Sequence, residues 1–294
     1  MLIRTQSNTI IDISQDAAIT KPYYSMGHIN RQRSSVEKII IDQFKLPKFH
    51  WVKDKPDRRD YLYKRSSIST PSSVDLRAFC TPIEDQGALG SCTGQAIASA
   101  IEYLNNRNAG LIRDISRLFI YYYERALINT IKYDSGAYIR DGIKVVFNNG
   151  APLESFWPYI IRRFTQVPSR QAINDALRRK VTLYERITTL DGCINALSNG
   201  IPITVGFLVY SSFMSRAVST TGIMPYPNVA RERLLGGHAV LLVGFDNATQ
   251  RFIARNSWGS GWGDKGYFYM PYQVIDNRAM SDDFWVIRNV NNPR

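Results

Sequence analysis

The chain has 294 residues, 44% of them hydrophobic, and a formal net charge of +12. That length accommodates one large domain or two lobes with a real core. No apolar run approaches the roughly 18 residues of a membrane span, the three cysteines cannot build a disulfide framework, and no nucleic-acid motif accompanies the positive charge.

Residues 1–70 read differently from the rest. They lack a long period and carry Ser, Thr, Pro and charge in KPYYSMGH, RQRSSVEK and KRSSISTPSS, with one short strand expected at KIIID. Tyr23, Tyr24, Phe44, Phe49, Trp51, Tyr61 and Tyr63 are too many aromatics for a freely solvated tail, so this arm is expected to dock. MLIRTQSNTIIDISQD lacks an apolar h-region and a small-residue cleavage site. The expectation is therefore a cytoplasmic or non-classically exported protein.

After the arm the apolar positions take a helical period. Ala96, Ile97, Ala100, Ile101 and Leu104 form the stripe of a buried helix that begins near Cys92. ISRLFIYYYERALI, residues 115–128, predicts a second helix, and residues 141–147 a third that ends at Asn-Asn-Gly150. A fourth spans 169–179 behind the cap residue Ser169, and a fifth spans 191–199 before Gly200. The period then changes. IPITVGFLV, GHAVLLVGF, RFIARNS, GYFYMPY and FWVIRNV read as strands between Gly, Asn and Asp turns. Helices first and strands second predict an α+β fold: a helical lobe over about 80–180 and a sheet lobe over about 181–294.

Cys92 stands in DQGALGSCTGQA, between glycines and at the start of the first helix. Open N–H groups and the helix dipole there favour a thiolate. His28 and His50 lie in the arm, whereas His238 opens a buried strand in LLGGHAVLLVGFD. Asn256, in ARNSWGSGWG, can accept from the imidazole N–H, and Trp258 can shield that bond. A lone Cys is usually an inert core residue and a lone His on a strand usually structural. The order Gln86, Cys92, His238, Asn256 is a much rarer coincidence.

These residues resemble the papain family of cysteine peptidases. Gln86-Gly87, Gly90-Ser91-Cys92, Gly237-His238-Ala239 and Asn256-Ser257-Trp258-Gly259 match its blocks. His238 falls within the family's spacing of roughly 130 to 150 residues after the cysteine, and Asn256 slightly beyond it. Ser73-Val74-Asp75-Leu76-Arg77 is similar to a mature N-terminus, and the stretches Gly136 to Tyr159 and Pro202 to Val205 to the substrate wall and the entry into the sheet lobe. Leu89 stands where the family has a half-cystine, and Thr93 where it has a tryptophan. This cysteine-poor form, with WVKDKPDRRDYLY, resembles the bacterial branch and xylellain-type enzymes most closely. Cys80 and Cys193 are the one pair that a disulfide could join, and both free is the favoured expectation.

The resemblance implies a papain-like two-lobe fold for a peptidase domain over residues 71–294, its sheet lobe, about 181–294, β-barrel-like. Residues 1–70, whose aromatics need a surface and which end near the dibasic Lys64-Arg65, are expected to be an inhibitory pro-segment that crosses and blocks the cleft. The resemblance also implies peptide-bond hydrolysis with Cys92, His238 and Asn256 as the catalytic set. Gln86 and the Cys92 backbone would form the oxyanion hole. Gly136, Ala137, Gly206 and Ala239 would contact substrate in a pocket roomy enough for a bulky apolar side chain. Gly90 and Trp258 would play supporting roles. No metal or cofactor is expected, and the partners are peptide or protein substrates of a monomer. The basic balance favours acidic partners, and nucleic acid ranks well below the enzyme reading. Two other readings use the same residues: a papain-like scaffold locked by its arm, and an acyl transferase or deamidase.

Overall fold

The computed structural model describes residues 2–4, 10–12 and 48–291. The chain divides into two units, 1–43 and 44–294. In the first, β1 (Leu2–Arg4) pairs antiparallel with β2 (Ile10–Asp12). The expected KIIID strand, together with Tyr23, Tyr24, His28 and Phe44, lies outside the described residues.

The second unit contains β3 (Trp51–Val52), β4 (Ser73–Asp75), β5 (Ala137–Tyr138), β6 (Val181–Ile187), β7 (Ile203–Tyr210), β8 (Leu234–Asp246), β9 (Arg251–Arg255), β10 (Tyr267–Pro271) and β11 (Ser281–Val290). One seven-stranded antiparallel sheet runs β10-β9-β8-β7-β11-β6, with β4 also paired to β8. Among the described residues no ladder joins β10 to β6, so the sheet of this papain-like fold is not a closed barrel. The sheet also takes a strand from ahead of the helices. β4, expected only as the start of the peptidase domain, is a sheet strand that precedes every long helix.

The Cys92–Ala109 helix packs on β8 and carries the buried stripe Ala96, Ile97, Ala100, Ile101 and Leu104. It stops at Gly110, whose φ of 64° supplies the left-handed C-cap. β8 is buried from Gly237 through Phe245 because the helix covers one face and the Leu190–Ser198 helix also packs against it. That explains why β8 reads as a continuous apolar run rather than an alternation.

The second expected helix is Arg117–Leu127, begun where Ser116 Oγ accepts the Phe119 N–H at 3.2 Å. The third is Ile139–Asn148, and the fourth, Arg170–Ala176, has the expected Ser169 cap. The fifth, Leu190–Ser198, starts one residue early because Thr189 caps it. The short helices Arg216–Thr221 and Tyr272–Asp276 were not predicted; their few residues show no resolvable period.

Leu89 is 2% exposed and clusters with Leu118, Phe119, Tyr121, Ala137 and Trp157. Burying such a side chain contributes about 1.5–3 kcal/mol, close to the roughly 2–4 kcal/mol of a disulfide. Packing thus does at this position what the missing staple would do. Cys80, Cys92 and Cys193 are all free thiols. Among the described residues, no helix is long and apolar enough to cross a membrane.

Candidate active site

Cys92 is the first residue of its helix and is fully buried. Ser91, at the N-cap, makes no capping hydrogen bond. Its hydroxyl lies 2.5 Å from Tyr159 Oη instead, and that phenol donates to the Gln86 carbonyl at 2.9 Å. An N-cap serine normally satisfies a first-turn N–H; here the diverted hydroxyl leaves that end of the helix uncapped beside the sulfur. Backbone groups of Ala239, His50 and Thr93 near the thiol favour its charged form.

His238 lies on β8, fully buried, with Nε2 2.8 Å from Asn256 Oδ1. Asn256 follows the end of β9, and the same oxygen accepts the Ser257 N–H at 2.9 Å. An oxygen acceptor requires Nε2 to carry the proton, which leaves the Nδ1 lone pair as the basic face of the ring. Nδ1 is buried with no hydrogen-bond partner among the described residues. Trp258 stacks on the imidazole at 4.8 Å between centroids and 26° between planes, shielding the His238–Asn256 bond.

Gln86 is fixed at both ends: its Nε2 donates to the Leu89 carbonyl at 2.9 Å, and its Oε1 accepts from Ser257 Oγ at 2.7 Å. The carboxamide carries two N–H donors, so that bond leaves one over. The Gly90 N–H donates to Asp134 Oδ1 at 3.0 Å, and Tyr121 Oη donates to the same oxygen at 2.6 Å. Asp134 thereby ties the loop before Cys92 to the Gly136 wall, where the Gly136 N–H donates to Tyr121 Oη at 3.1 Å.

A strap formed by the described end of the arm occupies this cleft. β3 pairs parallel with β5, and the Ala137 N–H donates to the His50 carbonyl at 3.2 Å. The His50 carbonyl therefore faces the wall and not Cys92. Phe49 meets the rings of His238 and Trp258 edge-on at 6.3 and 5.9 Å. A Cβ added at Gly90 or Gly136 would overlap His50, at Gly206 or Gly237 it would overlap Trp51, and at Gly236 it would meet Phe49. Lys48 Nζ reaches Asp134 Oδ2 at 2.6 Å. Further along, Tyr61 and Tyr63 exchange backbone bonds with Arg186 on β6, and the strap then emerges through the exposed Lys64 and Arg65.

The acidic residues of the strap have the basic partners that the sequence did not show. Asp60 receives Arg140 Nη2 at 2.6 Å and Arg186 Nη1 at 2.8 Å, while Asp57 pairs locally with Arg59 at 2.7 Å. Asp54 is buried and accepts from Trp285 Nε1 at 2.9 Å and from the Arg140 N–H at 3.2 Å. Its own N–H donates to Asp283 Oδ2 at 2.8 Å. Burial pushes Asp283 up to about 7, with the Asp54 charge adding to the rise, and burial also raises Asp54.

The expected low-pKa thiolate does not describe this closed arrangement. Burial pushes the Cys92 thiol up to about 11 against the opposing backbone groups, and drives His238 down to about 4 despite its bond to Asn256. Desolvation penalises both charged forms, so the pair is a neutral thiol and a neutral imidazole under the strap. The dipole argument addresses one charge at a helix end; it does not include removal of water from both partners.

Four contributing residues were not read from the sequence. Asp134 stands in an ordinary Tyr-Asp-Ser-Gly turn, and Asp282-Asp283 reads as a turn before a strand. Glu124 lies in an apolar helix, fully buried; its Oε2 accepts from Thr93 Oγ1 at 2.7 Å beside Cys92, while Oε1 sits where Gly142 has no side chain. The available signal for Glu124 was an acidic residue within the apolar run of residues 115–128, beside Arg125.

Residues 70–288 match the model of the papain family cysteine proteases. An uncharacterised peptidase C1-like protein of Acanthamoeba polyphaga mimivirus is 41% identical, over 83% of this chain and 88% of its own length. Chymopapain of Carica papaya is 28% identical over 74% of this chain and 59% of its own. The crystal structure of xylellain, a cysteine protease from Xylella fastidiosa, superimposes with a TM-score of 0.76 at 38% identity, covering 82% of this chain and 96% of that one. With the family model spanning most of the chain and the fold shared with xylellain, the chain belongs to the papain family of cysteine proteases.

Proposed function

We propose that this cysteine peptidase hydrolyses peptide bonds through a Cys92 thioacyl-enzyme and is made as a zymogen closed by its own strap. The carrying observation is the convergence of Cys92 at an uncapped helix end, His238 with a free Nδ1 face, and Asn256 fixing the opposite nitrogen. When the strap leaves, water returns to both groups. The proton then moves from Cys92 to His238 Nδ1, since the desolvation that opposed both charges is relieved. The thiolate attacks the substrate carbonyl carbon. Gln86 Nε2 and the Cys92 N–H receive the negative charge on its oxygen. His238 gives its proton to the departing amine, and water, deprotonated by His238, releases the acid.

Gly136, Ala137, Gly206 and Ala239 form the substrate contacts in this reading. Support comes from the strap, whose backbone bonds Ala137 and whose Trp51 lies over Gly206. The strap resists cutting because it runs parallel to β5 and gives its His50 carbonyl to Ala137. Exposure of Lys64-Arg65 makes that step the accessible place for removal.

The test is hydrolysis of a fluorogenic dipeptide by the full chain, before and after limited cleavage at Lys64-Arg65. Activity should rise on cleavage, and Cys92→Ser should abolish it with the fold retained. Turnover by Cys92→Ser in a contaminant-free preparation would exclude Cys92 as nucleophile. An intact chain as active as the cleaved one would remove the zymogen role.

A further inference from the structure

The Trp51 indole enters a pocket between β7 and β8 where Gly206 and Gly237 offer no side chains. One end of this pocket is polar. There the indole Nε1–H donates to Asp283 Oδ2 at 3.1 Å. Asp283 is fully buried and has a φ of 60°, in a region that non-glycine residues seldom adopt. It sits where β11 breaks register with β7. Its other oxygen, Oδ1, accepts from Arg186 Nη2 at 3.1 Å.

The two carboxyl oxygens therefore have different donors. Oδ1 is held by the enzyme body through Arg186. Oδ2 is served by Trp51 Nε1 and the Asp54 N–H, both on the strap. Departure of the strap strips Oδ2 of both donors and leaves Oδ1 held. We infer that the pocket vacated by Trp51 is a side-chain subsite in which Asp283 Oδ2 selects a neutral aromatic side chain with a hydrogen-bond donor at its tip, tryptophan above all. This inference rests on the peptidase reading with the strap as occupant of the cleft.

Charge decides against a cationic side chain. Arg186 and Arg278 remain beside Asp282 and Asp283 once Asp60 and Lys53 depart with the strap. Two cations then face two carboxylates, leaving no net charge to draw in an arginine or lysine. A neutral donor completes the acceptor without disturbing that balance. Leaving a buried acceptor or donor unmatched costs about 1–3 kcal/mol, which is a discrimination of roughly 5- to 150-fold.

The experiment uses the full-length Trp51→Ala chain, in which the pocket is vacated and the strap stays tethered. Blocked dipeptide coumarin amides carry tryptophan, 3-benzothienylalanine, phenylalanine or arginine at the residue before the one cleaved. Benzothienylalanine has the shape of tryptophan without the N–H. The expected result is a kcat/KM for tryptophan about tenfold or more above the other three. In Trp51→Ala/Asp283→Asn the advantage should vanish. Arg186 requires the amide oxygen, so the Asn amide N–H turns toward the incoming donor. Equal use of tryptophan and benzothienylalanine overturns the inference while the peptidase reading stands. If no substrate is cleaved although Cys92 alkylates readily, the peptidase reading fails, and binding then decides the pocket. Free indole should raise the melting temperature of the Trp51→Ala chain more than benzothiophene does, and equal shifts overturn the inference.

Discussion

Trp51→Ala should unlatch the strap. The indole is 6% exposed and fills the space above Gly206, so truncation removes a packed aromatic together with its bond to Asp283. Such truncations cost about 3–5 kcal/mol. Here the loss falls on docking and not on the global fold, because the sheet beneath keeps its own core. The tether holds the strap at an effective concentration on the order of millimolar, so the open fraction should rise by about 10²- to 10³-fold until the open state dominates. The other latches remain: Lys48 on Asp134, Asp60 on Arg140 and Arg186. The assay is the rate of Cys92 alkylation in the full chain. Trp51→Phe should fall between parent and Trp51→Ala, since it loses mainly the N–H bond, about 1–3 kcal/mol. Cys193 supplies an internal control: it is fully buried on the Leu190–Ser198 helix and should stay unlabelled unless the domain itself opens. Labelling of Cys92 at the parental rate in Trp51→Ala, with Cys193 protected, would refute the latch.

Gln86→Ala should lower kcat by about 10²- to 10³-fold in the activated enzyme with KM little changed, because the donor acts on charge formed in the transition state; equal loss in KM alone would assign it to binding. Asp283 should make docking pH-dependent: burial and the strap's Asp54 charge hold it at about 7 when docked, strap departure removes that charge and readmits water, and so its support for docking is lost as the pH rises through about 7. Burial lowers His50 and His238, which therefore weaken docking in acid and oppose this trend. The ratio of strap amide protection between parent and Asp283→Asn, measured by hydrogen exchange, cancels the imidazoles and should fall from pH 5 to 8; a ratio that rises reverses the assignment. Glu124, pushed up to about 8 by burial with Asp141 adding to the rise, should likewise make the fold less stable as the pH rises from about 4.5 to 8. Glu124→Gln should flatten that decline, worth about 3 kcal/mol between pH 5 and 8 in urea midpoints, and an unchanged slope would place the ionisation elsewhere.

What was legible in the sequence was chemistry packaged in short contiguous blocks. Gly90-Ser91-Cys92, Gly237-His238-Ala239 and Asn256-Ser257-Trp258 each carry their own local reason: an open backbone before a helix, room beside an imidazole, an acceptor next to a shield. The helical stripe after Cys92 was legible for the same reason, since one period fixes one buried face. What failed to show depends on partners far apart. Trp51 and Asp283 are separated by 232 residues, and Asp54 and Trp285 by 231; no periodicity relates them. Cleft glycines and arm aromatics were both visible, and the arm was expected to cross the cleft, but nothing in the sequence matched a given aromatic to a given glycine. Their connection is steric. Gly90, Gly136, Gly206, Gly236 and Gly237 lack side chains where Phe49, His50 and Trp51 now lie. On the proposed function the same openness admits substrate, and a larger residue at Gly136 or Gly206 would then exclude strap and substrate together. Release has to be controlled from groups that only the strap engages, and Asp60 on Arg140, with Lys48 on Asp134, are of that kind.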